Sequence, residues 1–206
     1  MAICNGWKEY LALQTTFFEI PYSKFVEPLK SMEELKLINR CIANDRLAQK
    51  ELYELHKNSM YTLAYRITSN FELSEDVLQE GFIKVFRNLK DLEDHSKLDS
   101  WIYKIIIRTA YARVKDRIKF KNLIKEMGED EIQVNITYPS DVEYLEKAIQ
   151  DLPDGYRTVF TLYEIEGYKH REIAELLDIS VNTSKTQLRS AKLVLRKSLT
   201  NQTIHD

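Results

Sequence analysis

EGYKHREIAELLDISVNTSKTQLRSAKLVLRKSL, residues Glu166 to Leu199, is the stretch that decides the class of this chain. Ile173, Ala174 and Leu177 give a short first helix an apolar face, Asp178-Ile179 makes a turn, and Ser180 stands where an N-cap belongs. The helix that follows carries Lys185, Arg189, Lys192, Arg196 and Lys197, and no acid up to Leu199. The first four of these cations recur at helical spacing and share one face, beside an apolar stripe of Leu188, Ala191 and Leu195. An isolated basic stripe is ordinarily a solvated surface. Here the short preceding helix, the small Ala174 that lets two helices cross closely, and the capped turn together make a helix-turn-helix. Its second helix suits the major groove of DNA.

Net charge alone hides this. The 206 residues hold 30 basic and 32 acidic side chains, yet the charges are blocked along the chain. Residues 97–125 carry nine basic and two acidic residues, and residues 126–154 carry one basic and nine acidic. Such blocks imply separate surfaces with separate partners. Cys4 and Cys41 have no metal-like spacing and make no disulfide framework, which fits a reducing, cytoplasmic setting. His56, His95, His170 and His205 are scattered, so no metal or cofactor site is expected. No apolar run approaches a membrane span, and Gln14, Thr15 and Thr16 interrupt the one N-terminal stretch that resembles a signal segment.

With five glycines, four prolines and helical periodicity nearly throughout, the fold class is all-α. The spacing predicts a helix opened by a Ser31-x-x-Glu34 capping box and ending near Ala43, then helices over Asp45–Ser69, Ser74–Leu89 and Leu98–Phe120. Residues 121–139, with Gly128, several acids and Pro139, read as a flexible linker. A second box, Ser140-x-x-Glu143, opens another helical module that runs to residue 206. The chain thus reads as two helical domains, 32–120 and 140–206.

In the first module the 74–89 helix sorts its faces. Leu78, Phe82, Val85 and Leu89 point inward, while Asp76, Glu80, Ile83 and Arg87 line the other side with Gln79 at its margin. Acids near a helix N-terminus also favour its dipole, so this outer face alone does not demand a partner. On the 98–120 helix, Lys104, Arg108, Tyr111 and Lys115 share a face. Rings among cations suit single-stranded or melted nucleic acid, where bases stack and cations hold phosphates. Trp101, set among Ile102, Ile105, Ile106 and Ile107, reads rather as core.

Three stretches in this order resemble the extracytoplasmic-function (ECF) sigma factors of bacterial RNA polymerase. They are ELYELHKNSMYTLAYRITSNFELSEDVLQEGFIKVFRNL, DSWIYKIIIRTAYARVKDR and IQDLPDGYRTVFTLYEIEGYKHREIAELLDISVNTSKTQLRSAK, and the likeness spans about residues 45–199. The resemblance implies sigma region 2 and sigma region 4 domains. Asp76, Gln79, Glu80 and Ile83 would dock on core polymerase. Lys97, Leu98, Lys104, Arg108, Tyr111 and Lys115 would hold the opened −10 element. Asn182, Thr183, Lys185, Thr186, Arg189 and Lys192 would read the −35 element. Core RNA polymerase and promoter DNA are the implied partners; an anti-sigma factor is common in the family but leaves no mark on the sigma chain. Three positions depart from the pattern: Arg108 stands where many members carry Asn, Lys169 where a Ser or Thr cap is usual, and Ser184 where an apolar residue is usual. Ser184 is expected to loosen packing slightly or to contact a phosphate.

The leading function is therefore a promoter-specificity subunit with no catalysis of its own. The alternative is a one-component transcription regulator acting without stable polymerase binding, which would need a sensor domain that residues 1–120 do not offer. An enzyme is disfavoured because no nucleophile pairing or Gly-rich phosphate loop occurs, and a helical interaction protein would leave both basic faces incidental. Residues 1–31 carry Trp7, Tyr10, Phe17, Phe18, Tyr22 and Phe25 without helical periodicity. They read as an N-terminal extension ahead of a start at Met32, in preference to a docking arm; protein beginning at Met32 is expected to fold and work like the full chain.

Overall fold

A computed structural model describes residues 32–126 and 141–202, and all regular structure among the described residues is helical. In chain order the elements are α1 (Met32–Ile42), α2 (Arg46–Thr68), α3 (Phe71–Asn88), two single 3₁₀ turns (Leu89–Asp91 and His95–Lys97), α4 (Leu98–Glu126), α5 (Asp141–Gln150), α6 (Asp154–Phe160), α7 (His170–Leu177) and α8 (Val181–Gln202). Residues 1–31, the core of the expected linker, and both expected cap residues Ser31 and Ser140 lie outside the described residues.

Local chemistry sets the boundaries. Asp45 caps α2 by accepting from the N–H groups of Leu47 (2.9 Å) and Ala48 (3.3 Å), and Arg40 Nε holds the same carboxylate at 2.8 Å. At the other end, Ser69 turns left-handed at φ 51° and returns its N–H to Tyr65. The expected start of α3 at Ser74 needs correction. Asn70 is the cap, with Oδ1 accepting from Leu73 N–H at 2.7 Å, and the helix begins at Phe71. Ser74 is instead buried, 2.7 Å from the Thr68 hydroxyl and donating to the Asn70 carbonyl at 2.6 Å. Helix α4 also runs on past Phe120 to Glu126, into the first residues assigned to the linker, because nothing in KNLIKE breaks a helix.

Helices α2, α3 and α4 pack on one another as the first module. Leu78, Phe82, Val85 and Leu89 enter its core, facing Ile102, Ile106 and Ile107 of α4. Gly81 is what lets α3 and α4 approach so closely: a Cβ there would run into the end of the Ile106 side chain. In the second module α8 lies against α6 and α7, with Leu188, Ala191 and Leu195 buried as the stripe predicts. α6 continues into a π-helical turn over Thr161–Ile165, closed by Glu166 N–H on the Thr161 carbonyl at 2.9 Å.

The two modules are not separate bodies. Their buried side chains form one continuous cluster, and α2 and α4 both pack against α6, with α4 also touching α7. This qualifies the inference from charge blocks for one pair of residues. Arg117 of the basic block donates through Nε to Asp154 of the acidic block at 3.1 Å, so part of each block faces the other rather than a partner.

Gly81→Ala should lower the melting temperature. Overpacking of this kind costs about 1–3 kcal/mol, against a helix-propensity gain of about 1 kcal/mol. Combining it with Ile106→Val, which removes the obstructing methyl, should give a smaller loss than the two single losses added. Thermal melts of the three variants check this, and simple additivity would show that α3 and α4 do not meet through Gly81.

Candidate nucleic-acid and polymerase interfaces

The helix-turn-helix is built from three local devices. Glu172 reaches back to accept the Lys169 N–H at 2.7 Å, so the N-terminus of α7 is satisfied although Lys169 brings no acceptor of its own. Asp178 makes the turn in the left-handed region at φ 54°, a conformation Asp tolerates, and returns its N–H to Ala174. Ser180 Oγ then accepts the Thr183 N–H at 2.9 Å and caps α8.

Ser184 follows neither expectation. It is fully buried and lies 2.9 Å from Nδ1 of His170, whose ring stacks on Tyr163 at 4.4 Å between centroids. Burial, and then Lys185 beside it, hold the His170 imidazole below its ordinary pKa, which favours the neutral ring that shares a proton with a hydroxyl. Ser184 is thus a satisfied tie between α8 and α7, turned away from any phosphate.

The face expected to read duplex DNA is open. Asn182, Lys185, Thr186, Arg189 and Lys192 are exposed and Thr183 is half-buried, along one side of α8 with Arg196 beyond them. Two of these side chains have internal work. Thr186 hydroxyl donates to the Asn182 carbonyl at 2.8 Å, and Lys192 Nζ lies 2.6 Å from Glu164 on the π turn.

On α4, Lys104, Arg108 and Lys115 are exposed in a row. Tyr111 is half-buried at the edge of the core, and Lys115 Nζ sits 5.4 Å from its ring centroid. That is the arrangement of cation beside aromatic ring that the sequence predicts, with one flank of the ring given to packing. Lys97 is exposed on the 3₁₀ turn before α4 and paired with Asp94 at 2.9 Å. Leu98 departs from the expected role. It is 4% exposed and packs in the core, so it positions the loop and does not present itself to DNA.

On α3, Asp76, Gln79 and Ile83 face solvent, Ile83 at 56% exposed. Glu80 is held differently: Arg113 of α4 approaches it at 2.8 Å and Lys84 at 2.8 Å. The Lys84 hydrogen bond, then that of Arg113, pulls its carboxyl below the usual carboxylate range. Glu80 therefore braces α3 against α4 beside the exposed trio.

Sequence reasoning passed over one set of polar residues. Arg157 is 3% exposed and Glu166 is 1% exposed, both at the contact between modules. The signal for Arg157 was present in YRTVF, a cation among apolar and β-branched neighbours; nothing local marked Glu166.

Residues 52–119 match the family model described as Sigma-70 region 2, and residues 142–195 match Sigma-70, region 4. The chain is 29% identical over 178 residues to the ECF RNA polymerase sigma factor SigW of Bacillus subtilis, covering 80% of this chain and 95% of that protein. It is 30% identical over 147 residues to the RNA polymerase sigma factor SigV of the same organism, covering 71% of this chain and 88% of that protein. In fold it is similar to the sigma factor RpoE of Bartonella quintana, solved in complex with the anti-sigma factor NepR, with a TM-score of 0.53, 21% identity, and coverage of 73% of this chain and 96% of that one. With both sigma regions present in order on an all-helical frame, the chain belongs to the ECF sigma factors of the sigma-70 family, the subunits that direct RNA polymerase to promoters.

Proposed function

We propose that the three exposed faces divide the work of initiation among them. Asp76, Gln79 and Ile83 on α3 dock on core polymerase, with Glu80 holding that helix in place. Lys104, Arg108, Tyr111 and Lys115 on α4, with Lys97 just before it, hold the opened −10 strand. Asn182, Thr183, Lys185, Thr186, Arg189 and Lys192 on α8 read the −35 duplex. The observation that supports this most is the separation of faces on each helix, since every helix concerned buries one stripe in the core and leaves the assigned residues on the other. The functional division runs 32–120 and 140–206, joined by 121–139. The protein acts without catalysis of its own, in the cytoplasm with the polymerase; among the described residues no helix is long and apolar enough to cross a membrane. An anti-sigma protein is a third partner class, suggested by the complex in which the Bartonella relative was solved.

Docking is tested first. Replacing Asp76, Gln79 and Glu80 together by Ala should abolish capture of core polymerase while circular dichroism stays that of the parent. Ala favours helix, and an exposed pair such as Glu80–Arg113 is worth no more than about 1 kcal/mol. Normal capture by a normally helical variant would remove α3 from the docking surface.

Tyr111→Ala should impair transcription from duplex promoters more than from templates already melted at −10, by about 1–3 kcal/mol if a base stack is lost. Equal impairment on both templates would make Tyr111 a packing residue. Arg189→Ala should cost about 1–3 kcal/mol on −35 DNA and less on random DNA, the signature of a base contact. Equal losses, measured by titration at fixed salt, would reduce Arg189 to a phosphate contact.

A further inference from the structure

A histidine stands among the cations of the helix-turn-helix. His170 opens α7, half-buried, and its Nδ1 lies 2.9 Å from the buried Ser184 hydroxyl of α8. One face of the ring lies on Tyr163 of the π turn, with centroids 4.4 Å apart and planes 24° from parallel. Those two contacts fix the imidazole, and Nε2 is the nitrogen that Ser184 does not engage.

Three charged side chains act on the ring from the elements packed against it. Lys185 and Lys192 of α8 oppose a charge there, and Glu164 of the π turn favours one. Glu164 is itself occupied, because Lys192 Nζ holds it at 2.6 Å. Burial first, and then Lys185, keep the imidazole below its ordinary pKa, so the ring of the free chain is mostly neutral near pH 7.

DNA moves each of these charges in one direction. A phosphate that draws Lys192 off Glu164 leaves the carboxylate facing the ring. A phosphate on Lys185 cancels the repulsion from that side. The first helix of a helix-turn-helix crosses the DNA backbone while the second enters the groove, so the start of α7 also comes under the field of the phosphates themselves. The imidazolium that results keeps both of its contacts. Whichever tautomer the neutral ring holds, the added proton leaves Nδ1 donating to Ser184 Oγ and Nε2 donating outward. The Ser184 hydroxyl hydrogen then turns to a carbonyl one helical turn back, as serine in a helix can. An apolar residue at this position would give the charged ring no acceptor. Tyr163 offers the cation the face of its ring.

We propose that His170 is a further residue of −35 recognition, which takes up a proton from solvent as α8 meets DNA and adds its charge to those of Lys185 and Lys192. The proposal rests on the −35 reading of α8 given above. Linkage sets its direction. A group whose pKa is higher in the DNA complex than in the free chain tightens binding as pH falls through the value in the complex, and the gain levels off below the value in the free chain. A tenfold rise in the proton affinity of the ring gives up to about a tenfold gain in DNA affinity.

The full chain bound to core polymerase is titrated at fixed salt between about pH 5.5 and pH 8, the range in which imidazole changes charge. The probes are a promoter duplex that this complex selects from a random library and the same duplex with its −35 half scrambled. His170→Gln keeps an amide beside Ser184 but does not titrate. At the acid end the parent should bind the intact promoter up to about tenfold more tightly than His170→Gln, and at the alkaline end equally. Glu164→Gln should shrink the acid gain, since no carboxylate is left to face the ring. If His170→Gln does not fold, proton uptake on binding serves instead, read from heats in two buffers of different ionisation enthalpy; it should be positive in the parent and smaller in Glu164→Gln. One shared pH profile for the parent and a folded His170→Gln overturns the proton link, as does an offset equal at every pH, which is what a packing residue gives. Uptake unchanged by Glu164→Gln overturns it too. In each of these cases the −35 reading survives if scrambling that half still weakens binding. If scrambling costs nothing at any pH, the −35 reading falls and takes the proton link with it.

Discussion

A carboxylate with 1% of its surface exposed must be hydrogen-bonded by its neighbours or be expelled. Glu166 finds its partners in the other half of the chain, an arginine from α2 and a tyrosine hydroxyl from α4. Apolar surfaces such as Leu162 and Ile165 bury well against many neighbours, so they favour contact without choosing its register. A buried charge chooses, because any docking that leaves Glu166 short of Arg66 exposes the full desolvation penalty, roughly 3–5 kcal/mol when one partner of such a pair is removed. Tyr103 shows the same constraint from the donor side: burial, then the adjacent carboxylate, raise its phenol well above the ordinary value, so it stays protonated and donates. Tyr168, pushed up to about 12 by burial, likewise stays neutral next to it.

Helix α4 connects this contact to an exposed row of cations. Ile102, Ile106 and Ile107 fill the first module's core, Tyr103 and Arg117 reach the second module, and Lys104, Arg108 and Lys115 are left outside. Three sides of one helix thus face the first module's core, the second module and solvent. Lys104 follows Tyr103 directly in the chain, so the exposed cationic face and the contact between modules share one stretch of backbone. The helix needs its unbroken length for this, since Tyr103 and Arg117 are fourteen residues or about 20 Å apart along the axis.

Where a property depends on periodicity, the chain's own pattern carried it. The inward stripe of Leu78, Phe82, Val85 and Leu89, the helix limits at Asp45 and Ser69, and the buried stripe of α8 all follow from spacing and cap chemistry. Misreadings arose where two residues of similar chemistry competed. Asn70 and Ser74 can each cap a helix, and only the tertiary position of Thr68 decides that Ser74 is buried. Ser184 looked like a weak core residue because its partner His170 lies fourteen positions away on another helix. Leu98 borders a polar loop in sequence yet turns inward. The closure between modules was invisible for a further reason. Arg66 and Glu166 are 100 residues apart, and a charged residue carries no periodic signal that says which distant element will receive it.

The same asymmetry between buried and exposed charge separates the ion pair on α8 from the contacts between the modules. Lys192 is paired with Glu164 at 2.6 Å, but its side chain is 48% exposed. Such a pair is worth no more than about 1 kcal/mol and weakens with salt. A phosphate arriving with the release of counterions can replace Glu164 at little cost. The contacts of Glu166 and Arg157 have no such substitute at hand, because both groups are shut away from solvent. Separating the modules would therefore break buried contacts that solvent cannot replace at little cost, whereas losing the Lys192–Glu164 pair would not.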